Sequence, residues 1–463
     1  MLHIIGLGTK KGELTQDALA ALRGADAVYV RTATHPSAES LRGAEIPFES
    51  LDGLYASSRN YDTFVTKAVR LIRAKAKDGA VCYCVDGGTF EDRIACILAK
   101  EKGAKVYPGV SKSAAAAAKA GICGNFTVIA APEAGAHELT RPLVVYDLAD
   151  RALASDVKLA LSELFGDEAP AYFVHGDSAE PIALYEADRQ AEYDMTCALV
   201  LPDEPLLEKK KFDLYDFLAV MRRLRAPDGC PWDSAQTHAS IRINAIEEAY
   251  ELVDAIDADD ADKMCEEAGD VLMQAAFHTL MEEERGHFTM NDVLTGLCRK
   301  LIDRHTHVFG KDAAAGADGA LSVWEKNKMT EKHQATFSDA VNDVPEGFPA
   351  LLRAQKIVKR TLKGGWKFTR EDAEKDVRAS LEALLKSEGE TAEKLGAFLY
   401  AAARLGYVLG GDCEQALLDE VKRRQAAYTA FEARVTADGR DVNDLTEQEL
   451  AAYMGEAERA VRD

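Results

Sequence analysis

Two periodicities divide the chain. Up to about residue 203, short apolar and β-branched runs alternate with helix-like stretches: HIIGLG near the start, an amphipathic segment from Thr15 to Arg23, AVYV (27–30), and AVCYCV (80–85) before a helix through Ala99. FTVIA (126–130), PLVVYD (142–147), PAYFVHG (170–176) and TCALVLPDEP (196–205) are further strand candidates. Short strands interleaved with helices predict a parallel or mixed sheet covered by helices, an α/β domain.

After Pro205 the apolar positions recur at helical spacing instead: Ala245, Ala249, Leu252, Val253 and Ile256, then Val271, Leu272, Ala275 and Leu280. That period predicts helices to the end of the chain. Turn residues and Pro in SDAVNDVPEGFP (338–349) split them into two blocks. The blocks read as a duplication, because EEAGDVLMQAAFHTL (266–280) aligns with EKLGAFLYAAARLGY (393–407). The expected organisation is therefore multidomain: an α/β domain at 1–203 and two all-α helical-bundle domains at 204–340 and 341–463.

Charge narrows the partners. Lys and Arg number 56 against 78 Asp and Glu, a net charge of −22, so the surface repels nucleic acid and anionic membranes. Small substrates are expected, and a phosphorylated one needs cations at its site. The nine Cys are scattered without a CxxC pair, which argues against a disulfide framework or zinc ribbon. With no leader-like start and no long apolar run, the expected location is cytoplasmic.

The candidate chemistry lies in IEEAYELVDAIDADDADKMCEEAGDVL (246–272). Glu248 and Glu251 are three apart, as are Glu267 and Asp270, so each pair shares a helix face. If DADDAD (257–262) turns the chain, an antiparallel hairpin centred near residue 259 sets the two pairs at matching levels. Four converging carboxylates require protons or cations, and oxygen-only ligation favours Mg²⁺, with Mn²⁺ as an alternative. An isolated ExxE is usually a solvated face. Here the mirrored spacing and the interleaved apolar positions favour a site.

Around this core stand LRAPDGCPWDSAQTHASI (224–241), KLIDRHTHVFG (300–310) and VWEKNKM (323–329). Together these motifs resemble the MazG nucleoside triphosphate pyrophosphohydrolases over roughly 205–330. The resemblance implies that Glu248, Glu251, Glu267 and Asp270 bind Mg²⁺, with Glu247 and Glu266 positioning water or supporting the ligands. It also implies that Lys300, Arg304, Trp324 and Lys328 contact phosphates and base, and Trp232 is a further stacking candidate. The implied reaction cleaves nucleoside triphosphates to a monophosphate and pyrophosphate. Bundle packing implies a homodimer. In the second block the matching positions read Ala379, Ser380, Ala383, Lys394 and Ala397. Residues 341–463 are thus expected to be a catalytically dead copy that packs, dimerises or regulates.

The first domain resembles the tetrapyrrole methylase family over about residues 1–203, through IIGLGTKKGELT (4–15), VDGGTFEDR (85–93) and PGVSKSAAAAAKAGI (108–122). The resemblance implies an S-adenosylmethionine site at Gly6, Gly8, Asp86, Gly87, Gly88 and Ser111. The family's GLGPG is here GLGTK, and its GDP-like loop runs Asp86, Gly87, Gly88, Thr89. This domain order resembles the YabN-type fusion proteins. His175, His238, His278, His305 and His307 sit in no zinc spacing and are expected to be core or surface residues, with His305 and His307 beside the basic pair. Two competing readings rank behind the hydrolase: a small-molecule methyltransferase with a regulatory helical tail, and a binding protein in which both activities have decayed.

Overall fold

The computed structural model describes residues 1–135, 139–331, 336–387, 389 and 391–462. The chain forms two compact units, Met1–Arg285 and Gly286–Asp463.

The first unit opens with a five-stranded parallel sheet built from β1 (Leu2–Gly6), β2 (Ala27–Val30), β3 (Glu49–Ser50), β4 (Val81–Val85) and β5 (Lys105–Tyr107), in the order β3-β2-β4-β1-β5. Every residue of β1 and β4 is buried because helices cover both faces. Ile4, Tyr29 and Tyr83 meet Phe64, Ala68 and Ile72 of helix Tyr61–Asp78 on one side. Ile5, Val28, Val30, Cys82 and Cys84 meet Leu22 and Leu41 on the other. Each large apolar side chain so enclosed contributes about 1.5–3 kcal/mol.

A second sheet follows, with β6 (Thr127–Ala130), β7 (Leu143–Tyr146), β8 (Pro170–His175), β9 (Ser178–Ala183) and β10 (Ala198–Leu201) in the order β6-β7-β10-β8-β9. Only β6 and β7 run parallel; the other neighbours are antiparallel. Helix Arg151–Phe165 covers one face through Ala154, Val157 and Leu161. Helix Lys112–Lys119 covers the other through Ala116 and Ala117. This is the α/β architecture that the alternating runs predict.

From Leu214 onward the described residues carry helices and no strand. Helices Asn244–Asp257 and Ala261–Glu284 form a hairpin in the first unit. In the second unit Arg370–Leu385 and Thr391–Val408 pair in the same way. No helix among the described residues is long and apolar enough to cross a membrane.

Candidate functional site

Asp257, Ala258, Asp259 and Asp260 decide how the acidic helices meet. Asp259 adopts the left-handed region with φ 51°, which Asp tolerates better than most residues. The Asp259 and Asp260 amides donate to the Ile256 and Ala255 carbonyls, closing the first helix. The Asp260 carboxylate accepts from the Lys263 amide at 3.1 Å and starts the second. So tight a turn makes the helices antiparallel neighbours and brings Glu248 level with Asp270.

Carboxylate oxygens of Glu248, Glu267 and Asp270 lie within 4.8 Å of one another. Glu267 is only 7% exposed, Glu248 and Asp270 are half-buried, and Glu251, Glu247 and Glu266 are exposed. Burial and then the charges of Asp270 and Glu251 raise the Glu248 carboxyl above its ordinary range. Burial, Glu251 and Glu266 do the same for Glu267. The cluster is electrostatically unsatisfied by itself.

One participant was invisible in the sequence pattern. Gln274 follows Asp270 by one helical turn and is buried; its Nε2 donates to Glu248 Oε1 at 3.5 Å, while its Oε1 has no partner. An amide in a helix carries no charge signal, so only the i to i+4 spacing from Asp270 could have pointed to it. The donor set suits a hard divalent cation. Neighbouring oxygens about 2.1 Å from an octahedral Mg²⁺ stand roughly 3 Å apart, so side-chain adjustment within the cluster would bring the three oxygens, already within 4.8 Å, onto one ion. The residues present therefore fit Mg²⁺.

Further along the hairpin, His238 and His278 stack with ring centroids 5.0 Å apart, their Nδ1 atoms at 2.7 Å. His238 Nε2 also reaches Glu282 at 2.6 Å. Trp232 is 62% exposed. His175, Asp194 and Cys197 form another convergent group, but Asp194 already accepts from the Thr196 amide and hydroxyl, and Cys197 is buried in the sheet core.

The second unit holds the basic candidates. Arg304 is only 7% exposed; it donates to both carboxylate oxygens of Glu331 at 2.7 and 3.1 Å. Its guanidinium also lies 5.2 Å from the Trp324 ring centroid, and the Lys328 ammonium lies 5.1 Å from it. Two cations thus pack on Trp324. Lys300 is exposed on helix Met290–Arg304, and His305 and His307 follow at its end, their rings 5.7 Å apart. In the hairpin Arg370–Leu385 and Thr391–Val408, Arg404 pairs with Asp376 and stacks on Phe368, a structural ion pair in place of a carboxylate cluster.

In the first domain the six residues named for a cofactor gather where β1 and β4 end. Gly6 leaves no room for a side chain: a Cβ there would stand 2.4 Å from the Gly109 nitrogen and 2.8 Å from the Gly87 oxygen. Gly8 and Gly87 exchange backbone hydrogen bonds at 3.3 and 2.8 Å. Gly88 donates to Glu91 at 2.9 Å, as does the Ser111 hydroxyl at 2.7 Å. Asp86 accepts from Arg31 at 3.0 and 3.1 Å and from Lys112 at 2.9 Å. Burial opposes ionisation of Asp86, but Arg31 and Lys112 outweigh it and hold the carboxyl well below its usual range.

Comparison with known proteins finds two families along the chain. Residues 236–309 match the MazG nucleotide pyrophosphohydrolase domain, and residues 1–180 match the tetrapyrrole (corrin/porphyrin) methylases. The chain is 31% identical to YabN of Bacillus subtilis over 379 residues, spanning 77% of this chain and 76% of that protein. It is 34% identical over 238 residues to the nucleoside triphosphate pyrophosphohydrolase of Escherichia coli (strain K12), spanning 49% of this chain and 90% of the relative. Over 247 residues it is 34% identical to the nucleoside triphosphate pyrophosphohydrolase/pyrophosphatase MazG of Thermotoga maritima, spanning 52% and 94%.

Proposed function

The chain belongs to the MazG nucleotide pyrophosphohydrolase family with a tetrapyrrole methylase domain ahead of the MazG region, and we propose that hydrolysis at the acidic hairpin is its activity. It is a nucleoside triphosphate pyrophosphohydrolase, releasing a nucleoside monophosphate and pyrophosphate. The observation that carries this reading is the convergence of Glu248, Glu267 and Asp270, with the buried Gln274 amide donating to Glu248.

Glu248, Glu267 and Asp270, with Glu251 beside them, would hold Mg²⁺. Bound there, the ion supplies charge neutralisation for the triphosphate and a water of lowered pKa. The chain's own groups do the rest. Gln274 orients Glu248, and its free oxygen can accept a hydrogen bond from water in the site. Exposed Glu247 and Glu266 flank the cluster and can take up the proton released when water attacks phosphorus. The family resemblance assigns Lys300 and Lys328 to phosphate and Trp324 to the base, with Arg304, already engaged by Glu331, fixing the Trp324 ring. Trp232 offers a second stacking face.

The reading extends to domain limits of 1–203, 204–340 and 341–463, the last a dead copy, and to a cytoplasmic homodimer. Ile246, Tyr250 and Val253 form an exposed apolar row on helix Asn244–Asp257, continued by Ile243 just before it, which supports association through the bundle. Methyl transfer is the less favoured alternative. Glu251→Gln, assayed for pyrophosphate release from a panel of ribo- and deoxyribonucleoside triphosphates with and without Mg²⁺, tests the proposal. Metal-dependent release should vanish; unchanged release would move the active site elsewhere.

A further inference from the structure

We infer that the methylase-like domain takes no S-adenosylmethionine, because the chain's own Lys112 ammonium and Glu91 carboxylate occupy the crevice that would receive it. The first support is the set of donors gathered on Glu91. Glu91 accepts from the amides of Gly88, Lys112 and Ser113 at 2.9, 2.6 and 2.8 Å and from the hydroxyls of Ser111 and Ser113 at 2.7 and 2.6 Å. These glycine-loop and helix-start N–H groups form a nest for an anion, and the anion is internal.

The second support is the cation. Lys112 is buried; its Nζ donates to Asp86 at 2.9 Å and to Asp147 at 2.7 Å, and lies 5.1 Å from the Tyr146 ring centroid. Carboxylates beside an aromatic face make a receptacle for a positive charge such as a sulfonium, and here an ammonium fills it. Its stem also fills the space under the turn, since a Cβ on Gly87 would stand 2.5 Å from Lys112 Cγ.

The neighbouring cleft, bordered by Thr9, His35, Lys112 and Thr196, is lined by none of Gly6, Gly8, Asp86, Gly87, Gly88 or Ser111. The domain keeps the methylase fold while its crevice is self-occupied.

Two measurements on the full-length protein decide the matter, and both are separable from hydrolysis, which is assayed in the same samples. Calorimetric titration with S-adenosylmethionine, and separately with S-adenosylhomocysteine, is expected to show no saturable heat up to about 1 mM ligand; saturable binding of either overturns the inference. Amine acylation mapped by mass spectrometry is expected to modify exposed Lys102 and spare Lys112 in the native state. Equal labelling of the two would show an open crevice and overturn it as well.

Discussion

Gln274 donates to Glu248 across the acidic hairpin at 3.5 Å and leaves its own carbonyl oxygen buried without a partner. Supporting groups of this kind tune metal affinity through the ligand they orient. Gln274→Ala should therefore raise the Mg²⁺ concentration for half-maximal pyrophosphate release by about 10- to 100-fold. A Mg²⁺ titration of initial rates checks this, and an unchanged midpoint would remove Gln274 from the site.

The crowded carboxyls give stability a pH dependence of definite sign. Glu248 and Glu267 have raised carboxyl pKa values in the fold, so their contribution is fully present below the unfolded carboxylate range and is lost as pH rises through the folded values. Metal-free protein should accordingly gain thermal stability, from this hairpin, on mild acidification. Mg²⁺ should stabilise at neutral pH and lose its effect as those carboxyls protonate. Melting curves across pH, with Mg²⁺ and with chelator, provide the comparison.

Glu267→Gln separates function from stability. Removing one charge from the cluster relieves repulsion, so Tm without metal should rise, while Mg²⁺-induced stabilisation and pyrophosphate release both fall. A drop in metal-free Tm would mean that Glu267 is held by favourable contacts rather than strained by its neighbours.

The second helical hairpin should be silent. In full-length protein carrying Glu248→Gln with Glu267→Gln, pyrophosphate release at saturating Mg²⁺ should equal the background of buffer alone. Residual metal-dependent turnover would assign activity to the hairpin where Arg404 pairs with Asp376.

Lys112→Ala removes the ammonium shared by Asp86 and Asp147. Breaking a buried pair from one side costs about 3–5 kcal/mol, measurable by denaturant unfolding at neutral pH. Asp86 is held below its usual range in the intact cluster, so the wild type loses that contribution as pH falls through its folded value. The gap between wild type and variant should narrow in acid.

Legibility in the sequence followed burial. The runs at β1, β2, β4, β7, β8 and β10 stand out because apolar stretches suit interior strands, and β6, although at an edge, is apolar enough to read as well. β3 (Glu49–Ser50) and β5 (Lys105–Tyr107) lie at the edges of their sheet, and β9 (Ser178–Ala183) at an edge of the other, where exposed residues break the pattern. The hairpin levels of the acidic residues could be read from spacing because a helix face is periodic. Gln274, the Glu91 nest and the Lys112 cluster could not, since their meaning comes from residues distant in sequence and from neutral donors that carry no charge signature.

The three-residue link at Ala258, Asp259 and Asp260 has an evolutionary corollary. Because it lets both walls of the ion trap come from one uninterrupted stretch, a single copying event could carry the whole acidic constellation along. The same economy would leave a copied stretch easy to retire, since exchange of a few acids would erase the trap while the paired rods persisted.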